Sequence, residues 1–312
     1  MKYGFGVDLG GTTVKLAFFD RQGQMLDKWE IPTRKENNGE NILPDIAASA
    51  LGYLQEKNIP REDVLGIGIG VPGVVREDGV VNRCVNLGWG VFNVKEVLGS
   101  LTGMNIAVGN DASVAALGEC WKGGGQGCKD MVMVTLGTGV GGGIVANGKV
   151  LFGAHGAGGE IGHMVINRQE MEVCGCGKRG CVEQYCSATG IVRLVKKMQK
   201  ETRISCCLRD REFTCKDVFD AAAQGDMVCM FVLEKVYKYL GEFLANLCCA
   251  TDPERFVFGG GVSRAGKPLL DGVRNYFTQY AFHAHQDVEF TLATLGNDAG
   301  AYGAFKLLLD AE

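Results

Sequence analysis

The chain lacks any apolar run approaching the roughly 18 residues that a membrane-crossing helix requires, which excludes a helical span. It also lacks a basic excess. Its 32 Lys and Arg stand against 36 Asp and Glu, a net charge of -4, so the electrostatic footprint of a nucleic-acid binder is missing. No signal peptide is expected, because Met1-Lys2-Tyr3-Gly4-Phe5-Gly6 passes straight into a strand-like run. The 13 cysteines are odd in number and follow no framework spacing, which points to a reducing cytoplasm. Two familiar phosphate fingerprints are absent as well: the strand–Gly-x-x-x-x-Gly-Lys-Ser/Thr–helix loop and a Gly-x-Gly-x-x-Gly that opens a helix. Glycine, by contrast, is abundant. Its 47 copies in 312 residues lie in short groups after apolar runs, which suggests tight turns approached closely by a ligand. The remaining composition, 46% hydrophobic and 22% charged, is that of a soluble globular chain long enough for two domains.

The densest chemistry lies in Cys174-Gly-Cys176-Gly-Lys-Arg-Gly-Cys181, with His163 a short way upstream in Gly-Gly-Glu160-Ile-Gly-His163. Three thiols and one imidazole in so short a segment make a four-ligand set for a closed tetrahedral Zn²⁺ site. The glycines let the backbone turn several thiolates inward. A disulfide plus a spare cysteine is the alternative, although the single residue between Cys174 and Cys176 is poor geometry for bonding each other. Glu160 and Glu183 bracket the set with carboxylates that a purely structural knuckle does not need. The adjacent pairs Cys206-Cys207 and Cys248-Cys249 have no partner histidine and read as structural.

Two segments look like copies of each other: Val7-Asp8-Leu9-Gly10-Gly11-Thr12-Thr13-Val14 and Val134-Thr135-Leu136-Gly137-Thr138-Gly139-Val140. Each has a β-rich entry, a Gly/Thr tip and a second β-rich run, so each reads as a hairpin whose tip offers backbone N–H groups and hydroxyls to phosphate. A single Gly-rich hairpin means little, but a matching pair about one domain apart implies an internal duplication. Between and after them, Ile42, Ile46, Ala50 and Leu54 recur at helical spacing, and 64–71 reads as a strand before the Pro72-Gly73 turn. Asn110-Asp111 opens a helix running to about Trp121, and further helices are expected over 188–200, 215–224 and 227–249. A strand over 255–258 runs into Gly259-Gly260-Gly261, with Ser263 placed to cap a helix, and Gly296-Asn297-Asp298 opens the last one. Strands alternating with helices make the fold α/β.

Taken together, these residues resemble the ROK family of repressors and sugar kinases over essentially the whole chain. The resemblance rests on Asp8-x-Gly10-Gly11-Thr12, Val85-Asn86-Leu87-Gly88-Trp89, Asn110-Asp111, Thr135-Leu136-Gly137-Thr138-Gly139, Glu160-x-x-His163, the cysteine segment through Glu183, and Gly259-Gly260-Gly261. It implies a two-domain actin-like, ribonuclease H-like duplicated fold with a central cleft. Residues 1–115 with a C-terminal helix near 298–312 would form the small domain, and 116–297 the large one with the zinc-binding segment.

It further implies ATP-dependent phosphorylation of a hexose. Asp111 would act as general base, or be no more than part of a helix N-cap. Gly73, Asn86, Asn110, Glu160, His163 and Glu183 would contact the sugar. Gly10, Gly11, Thr12 and Thr138 would surround the phosphates. Gly259, Gly260, Gly261 and Asn297 would form the adenosine wall, and Asp8 would be the outer partner of Mg²⁺. His163, Cys174, Cys176 and Cys181 would hold a structural Zn²⁺, with the second ring nitrogen of His163 reaching the sugar. Homodimers are usual in the family. The segments 85–89 and 180–189 look like those of its bacterial glucokinases, so glucose is the expected sugar. N-acetylmannosamine, N-acetylglucosamine, allose and fructose are alternatives. So is a non-catalytic sugar sensor or repressor, against which stand the acidic charge and a first strand with no DNA-binding domain before it.

Overall fold

The computed structural model describes residues 1–82 and 84–312. The chain forms two compact units. The first comprises residues 1–129, 143–159 and 294–312, and the second 130–142 and 160–293.

In the first unit, β1 (Tyr3–Leu9), β2 (Thr13–Asp20), β3 (Met25–Pro32), β4 (Val64–Val71) and β7 (Asn105–Asn110) form a sheet in the order β3-β2-β1-β4-β7. The intervening β5 (Val80–Val81) and β6 (Phe92–Asn93) make a small antiparallel ribbon. β1 pairs antiparallel with β2 and parallel with β4, and β4 pairs parallel with β7.

β4 reads Val-Leu-Gly-Ile-Gly-Ile-Gly-Val and is buried throughout. On one face Ile67 and Ile69 pack with Phe5 and Val7 and with Ile42, Ile46 and Ala50 of the helix Ile42–Glu56. On the other face the alternate glycines have a purpose that composition alone did not suggest. A Cβ at Gly6 would strike the carbonyl oxygen of Ala301, and one at Gly68 that of Ala304. These glycines therefore admit the helix Ala299–Asp310 onto the sheet rather than a ligand.

The second sheet runs β10-β9-β8-β11-β12, from β8 (Met131–Leu136), β9 (Val140–Ala146), β10 (Lys149–Val150), β11 (Arg255–Gly259) and β12 (Glu289–Leu292). Both sheets thus share one order by sequence: third, second, first, fourth, fifth. β8 pairs parallel with β11, and β11 parallel with β12, as the corresponding strands do in the first sheet. The internal duplication read from two hairpins is a duplication of whole sheets.

Helices Ala188–Glu201, Cys215–Ala223, Met227–Thr251 and Lys267–Tyr280 complete the second unit. Ser263 does not cap the last of these. Its hydroxyl donates to the carbonyl of Gly260 at 2.8 Å, and Gly266 occupies the cap position with no side-chain bond. Among the described residues, no helix is long and apolar enough to cross a membrane.

Candidate active site and metal centre

In the first unit the tip Gly10–Thr12 joins β1 to β2. The N–H of Gly10 donates to the carbonyl of Thr13 at 3.0 Å, which closes the turn. Thr33, just past β3, braces it from behind: its hydroxyl donates to the carbonyl of Gly10 at 2.8 Å and its N–H to that of Thr12 at 2.9 Å. Gly11 and Thr12 stay exposed. Asp8, at the end of β1, lies 3.7 Å from the Lys15 ammonium. Burial pushes its carboxyl above the usual range, and Lys15 works against that. Lys15 Nζ also lies 3.5 Å from the carbonyl of Asn297. Asn297 thus belongs to the first unit beside this ion pair, whereas Gly259, Gly260 and Gly261 lie in the second.

β7 delivers Asn110 and Asp111 to the start of the helix Asp111–Lys122. The Asn110 side-chain oxygen accepts from the N–H of Ser113 at 3.0 Å, so Asn110 is the N-cap. Its Nδ2 donates to the carbonyl of Gly73 at 2.9 Å and to Asp111 Oδ1 at 3.0 Å, and the N–H of Ala112 donates to that same Oδ1 at 2.8 Å. Asn110 thus fills the N-cap, and Asp111, at the first helical position, is a half-buried carboxylate whose Oδ1 is held by these two N–H donors. Asn86 sits exposed in the one-turn helix Val85–Leu87.

In the second unit, the ligand atoms of His163, Cys174, Cys176 and Cys181 all lie within 4.8 Å of one another. Cys176 Sγ is 3.6 Å from Cys181 Sγ, and Cys174 Sγ is 3.9 Å from His163 Nδ1. Tetrahedral zinc with sulfur at about 2.3 Å requires neighbouring sulfurs roughly 3.8 Å apart, so the set fits the ion. Nδ1 is the ring nitrogen turned toward the thiols. Burial pushes the Cys174 thiol up and the Cys181 thiol to about 12. For Cys176 burial acts the same way, but the Lys178 N–H and the neighbouring thiols outweigh it and hold that thiol below its usual range. Thiols crowded together resist ionising jointly, and a divalent cation removes that penalty.

Glu183 connects this centre to the second hairpin. Its Oε1 lies 3.7 Å from Cys174 Sγ, and its Oε2 accepts from the N–H of Val140 at 3.0 Å. Gly139 leaves room for this contact, because a Cβ at that position would push Glu183 Oε2 away. Two more bonds fix the tip: the N–H of Ala188 donates to the carbonyl of Gly137 at 2.8 Å, and the Thr189 hydroxyl to that of Thr138 at 2.7 Å. Thr138 and Glu160 are exposed, and His163 is half-buried. Gly260 takes a left-handed φ of 83° and packs so closely on Leu136 that a Cβ would meet its carbonyl oxygen at 2.5 Å.

Glu119 lies in no motif legible in the sequence. Its fully buried carboxylate accepts from the N–H groups of Gly124 (2.8 Å), Thr294 (3.0 Å) and Leu295 (2.8 Å), tying the loop after one helix to the segment before Asn297. Thr33 and Thr189 carry no motif signal either, since neither belongs to the hairpin tip that it braces.

The ROK family profile matches residues 4–311. This chain belongs to the ROK family. A glucokinase of Halalkalibacterium halodurans is 45% identical over 313 residues, covering 98% of this chain and 95% of that one. Among solved structures, a ROK hexokinase from Thermus thermophilus is 30% identical with a TM-score of 0.83, covering 99% of both chains. A ROK glucokinase from Streptomyces griseus, crystallised with glucose and AMPPNP, is 33% identical with a TM-score of 0.73, covering 98% of both. The ROK chain accordingly has the actin-like sugar-kinase fold, with two mixed five-stranded sheets.

Proposed function

We propose that this ROK chain transfers the γ-phosphoryl group of ATP to glucose, giving glucose 6-phosphate, with Asp111 as general base. The observation that carries the assignment is Asp111 itself: a half-buried carboxylate at the first position of its helix, held in orientation by the Asn110 side chain and the N–H of Ala112. The names of the relatives, glucokinases at 34% and 45% identity, supply the sugar and the reaction.

In this reading Asp111 takes the proton of the attacking sugar hydroxyl as its oxygen bonds to the γ-phosphorus, and the bond to the β,γ-bridging oxygen breaks to release ADP. Gly73, Asn86 and Asn110 contact the sugar, and Glu160, His163 and Glu183 bind its hydroxyls. Gly10, Gly11, Thr12 and Thr138 present N–H groups and hydroxyls to the phosphates. Gly259, Gly260, Gly261 and Asn297 serve the adenosine. Asp8 offers a hard oxygen donor for Mg²⁺, which when bound neutralises phosphate charge. His163 Nδ1 and the thiols of Cys174, Cys176 and Cys181 would hold a structural Zn²⁺, because four protein ligands leave no open position for chemistry. We also assign the chain to the cytoplasm as a homodimer, which light scattering on the purified protein checks.

A coupled ATP-to-ADP assay over glucose, N-acetylglucosamine, N-acetylmannosamine, allose and fructose tests the reading. The expected result is a kcat/KM for glucose at least about tenfold above every other sugar. Another sugar in first place overturns the substrate, and no ADP with any sugar overturns the kinase in favour of a sensor.

A further inference from the structure

A second cluster of metal-binding side chains lies in the second unit, outside the candidate site. The ligand atoms of Cys206, Asp226 and Cys229 lie within 4.8 Å of one another, with both cysteines buried. Three atoms so placed always leave a point within about 2.8 Å of all of them, some half an ångström beyond an ideal zinc–sulfur bond of about 2.3 Å. A small closure of the ligands completes the site.

The donors are held in place before any ion arrives. Cys229 is in the first turn of the helix Met227–Thr251, and its N–H donates to Asp226 Oδ1 at 3.0 Å. The N–H of Cys207 donates to Asp226 Oδ2 at 2.7 Å. Each carboxylate oxygen keeps a lone pair beyond its backbone bond. Both Asp226 oxygens are thus anchored by backbone N–H groups beside the two thiols. The loop bearing Cys206 is fastened by Arg209, whose guanidinium donates to the carbonyls of Gln199 (2.8 Å) and Ile204 (2.9 Å). Gln199 Nε2 donates to Cys206 Sγ at 3.2 Å and so fixes the direction of that side chain. Cys207, whose N–H binds Asp226, is exposed and opens this end of the cluster to solvent.

We propose that Cys206, Asp226 and Cys229, joined by Cys207 or a water, form a second site for a thiophilic divalent ion such as Zn²⁺. Binding displaces one proton from each participating thiol and clamps the loop at Cys206-Cys207 to the start of the long helix. With a water as fourth ligand, two thiolates and a carboxylate leave the loaded site near one net negative charge, which the N-terminal end of the helix offsets. This site does not depend on the sugar-kinase reading, because its test counts metal rather than turnover.

The protein is purified under reductant, loaded with Zn²⁺, freed of excess ion and analysed for metal. Wild type is expected to hold about two zinc ions per chain, and Cys206→Ser and Cys176→Ala about one each, as two separate ligand sets require. Cys206→Ser alters a loop residue, so the test does not hinge on the deeply buried Cys229. As a second measurement, Co²⁺ added to Cys176→Ala should still give thiolate-to-cobalt absorption. Wild type with one zinc, Cys206→Ser with as many as wild type, or a silent cobalt spectrum overturns the site. So does recovery of a Cys206–Cys229 disulfide after mild peroxide treatment in protein that never takes up a second zinc.

Discussion

The two hairpin-bearing sheets are built to one plan and braced by different means. In the first, the tip Gly10–Thr12 leans on Thr33, at the end of the neighbouring strand, so its support is local and made of backbone and hydroxyl bonds. In the second, the tip Gly137–Gly139 leans on Glu183, Ala188 and Thr189, and Glu183 in turn touches Cys174. The position of the second tip therefore depends on the cysteine segment, while that of the first does not.

The fifth strands show the same divergence. Both lead to an Asn-Asp pair before a helix, Asn110-Asp111 and Asn297-Asp298. Asp111 is half-buried and oriented by Asn110, whereas Asp298 forms an ion pair with Lys28 at 2.9 Å. The two copies of the pair thus hold their carboxylates by different means.

The largest expected effect sets these two aspartates against each other. Asp111→Asn keeps the shape but removes the proton acceptor, and kcat should fall by at least about 10²-fold in the coupled assay. Asp298→Asn should stay within about twofold of wild type, since an exposed ion pair contributes little. Equal losses would erase the distinction between the copies.

A second pair of variants probes the tips. Gly139→Ala drives a methyl into Glu183 Oε2, and the KM for glucose should rise about tenfold, corresponding to 1.4 kcal/mol. A Cβ at Gly11 meets no atom within 4 Å, so Gly11→Ala should raise the KM for ATP and leave that for glucose unchanged. A Gly139→Ala enzyme with normal glucose kinetics would refute the link through Glu183.

Metal loss should separate the hairpins more gently. In Cys176→Ala, amide exchange at Gly137–Val140 should quicken several-fold while Gly10–Thr13 exchange as before. Uniform acceleration would mean that the cysteine segment supports both units alike.

The smallest effect concerns stability against pH. Burial pushes Glu170 up, but Arg193 and the Tyr185 hydroxyl outweigh it and hold its carboxyl at about 2. A depressed carboxyl stabilises the fold above its unfolded value near 4.5, and that contribution is lost as pH falls toward 2. Glu170→Gln should thus lower Tm by a few degrees at pH 7, with the gap to wild type closing in acid. Asp8 is shifted the other way, upward by burial, so its ionisation opposes folding above that raised value, and Asp8→Asn should not lower Tm at pH 7. A clear loss of Tm in Asp8→Asn would overturn the contrast.

The sequence by itself determined the family, the α/β class, both hairpins, the four-ligand cysteine segment and the Asn110-Asp111 helix start. Each is written in neighbouring residues: turn glycines, cap side chains, apolar periodicity, ligand spacing. Tertiary structure alone decided what joins distant stretches. The alternate glycines of β1 and β4 admit a helix that lies roughly 290 and 230 residues further along the chain. Asn297 falls in the first unit beside Lys15, where Glu119, buried and bonded to Thr294 and Leu295, holds the segment before it. Cys206 read as an inert thiol until the fold placed it beside Asp226 and Cys229. Local geometry is set by steric and hydrogen-bonding preferences that act over a few residues. Which distant groups meet is set by strand order and by the helices packed on the sheets, and no short stretch of sequence encodes that.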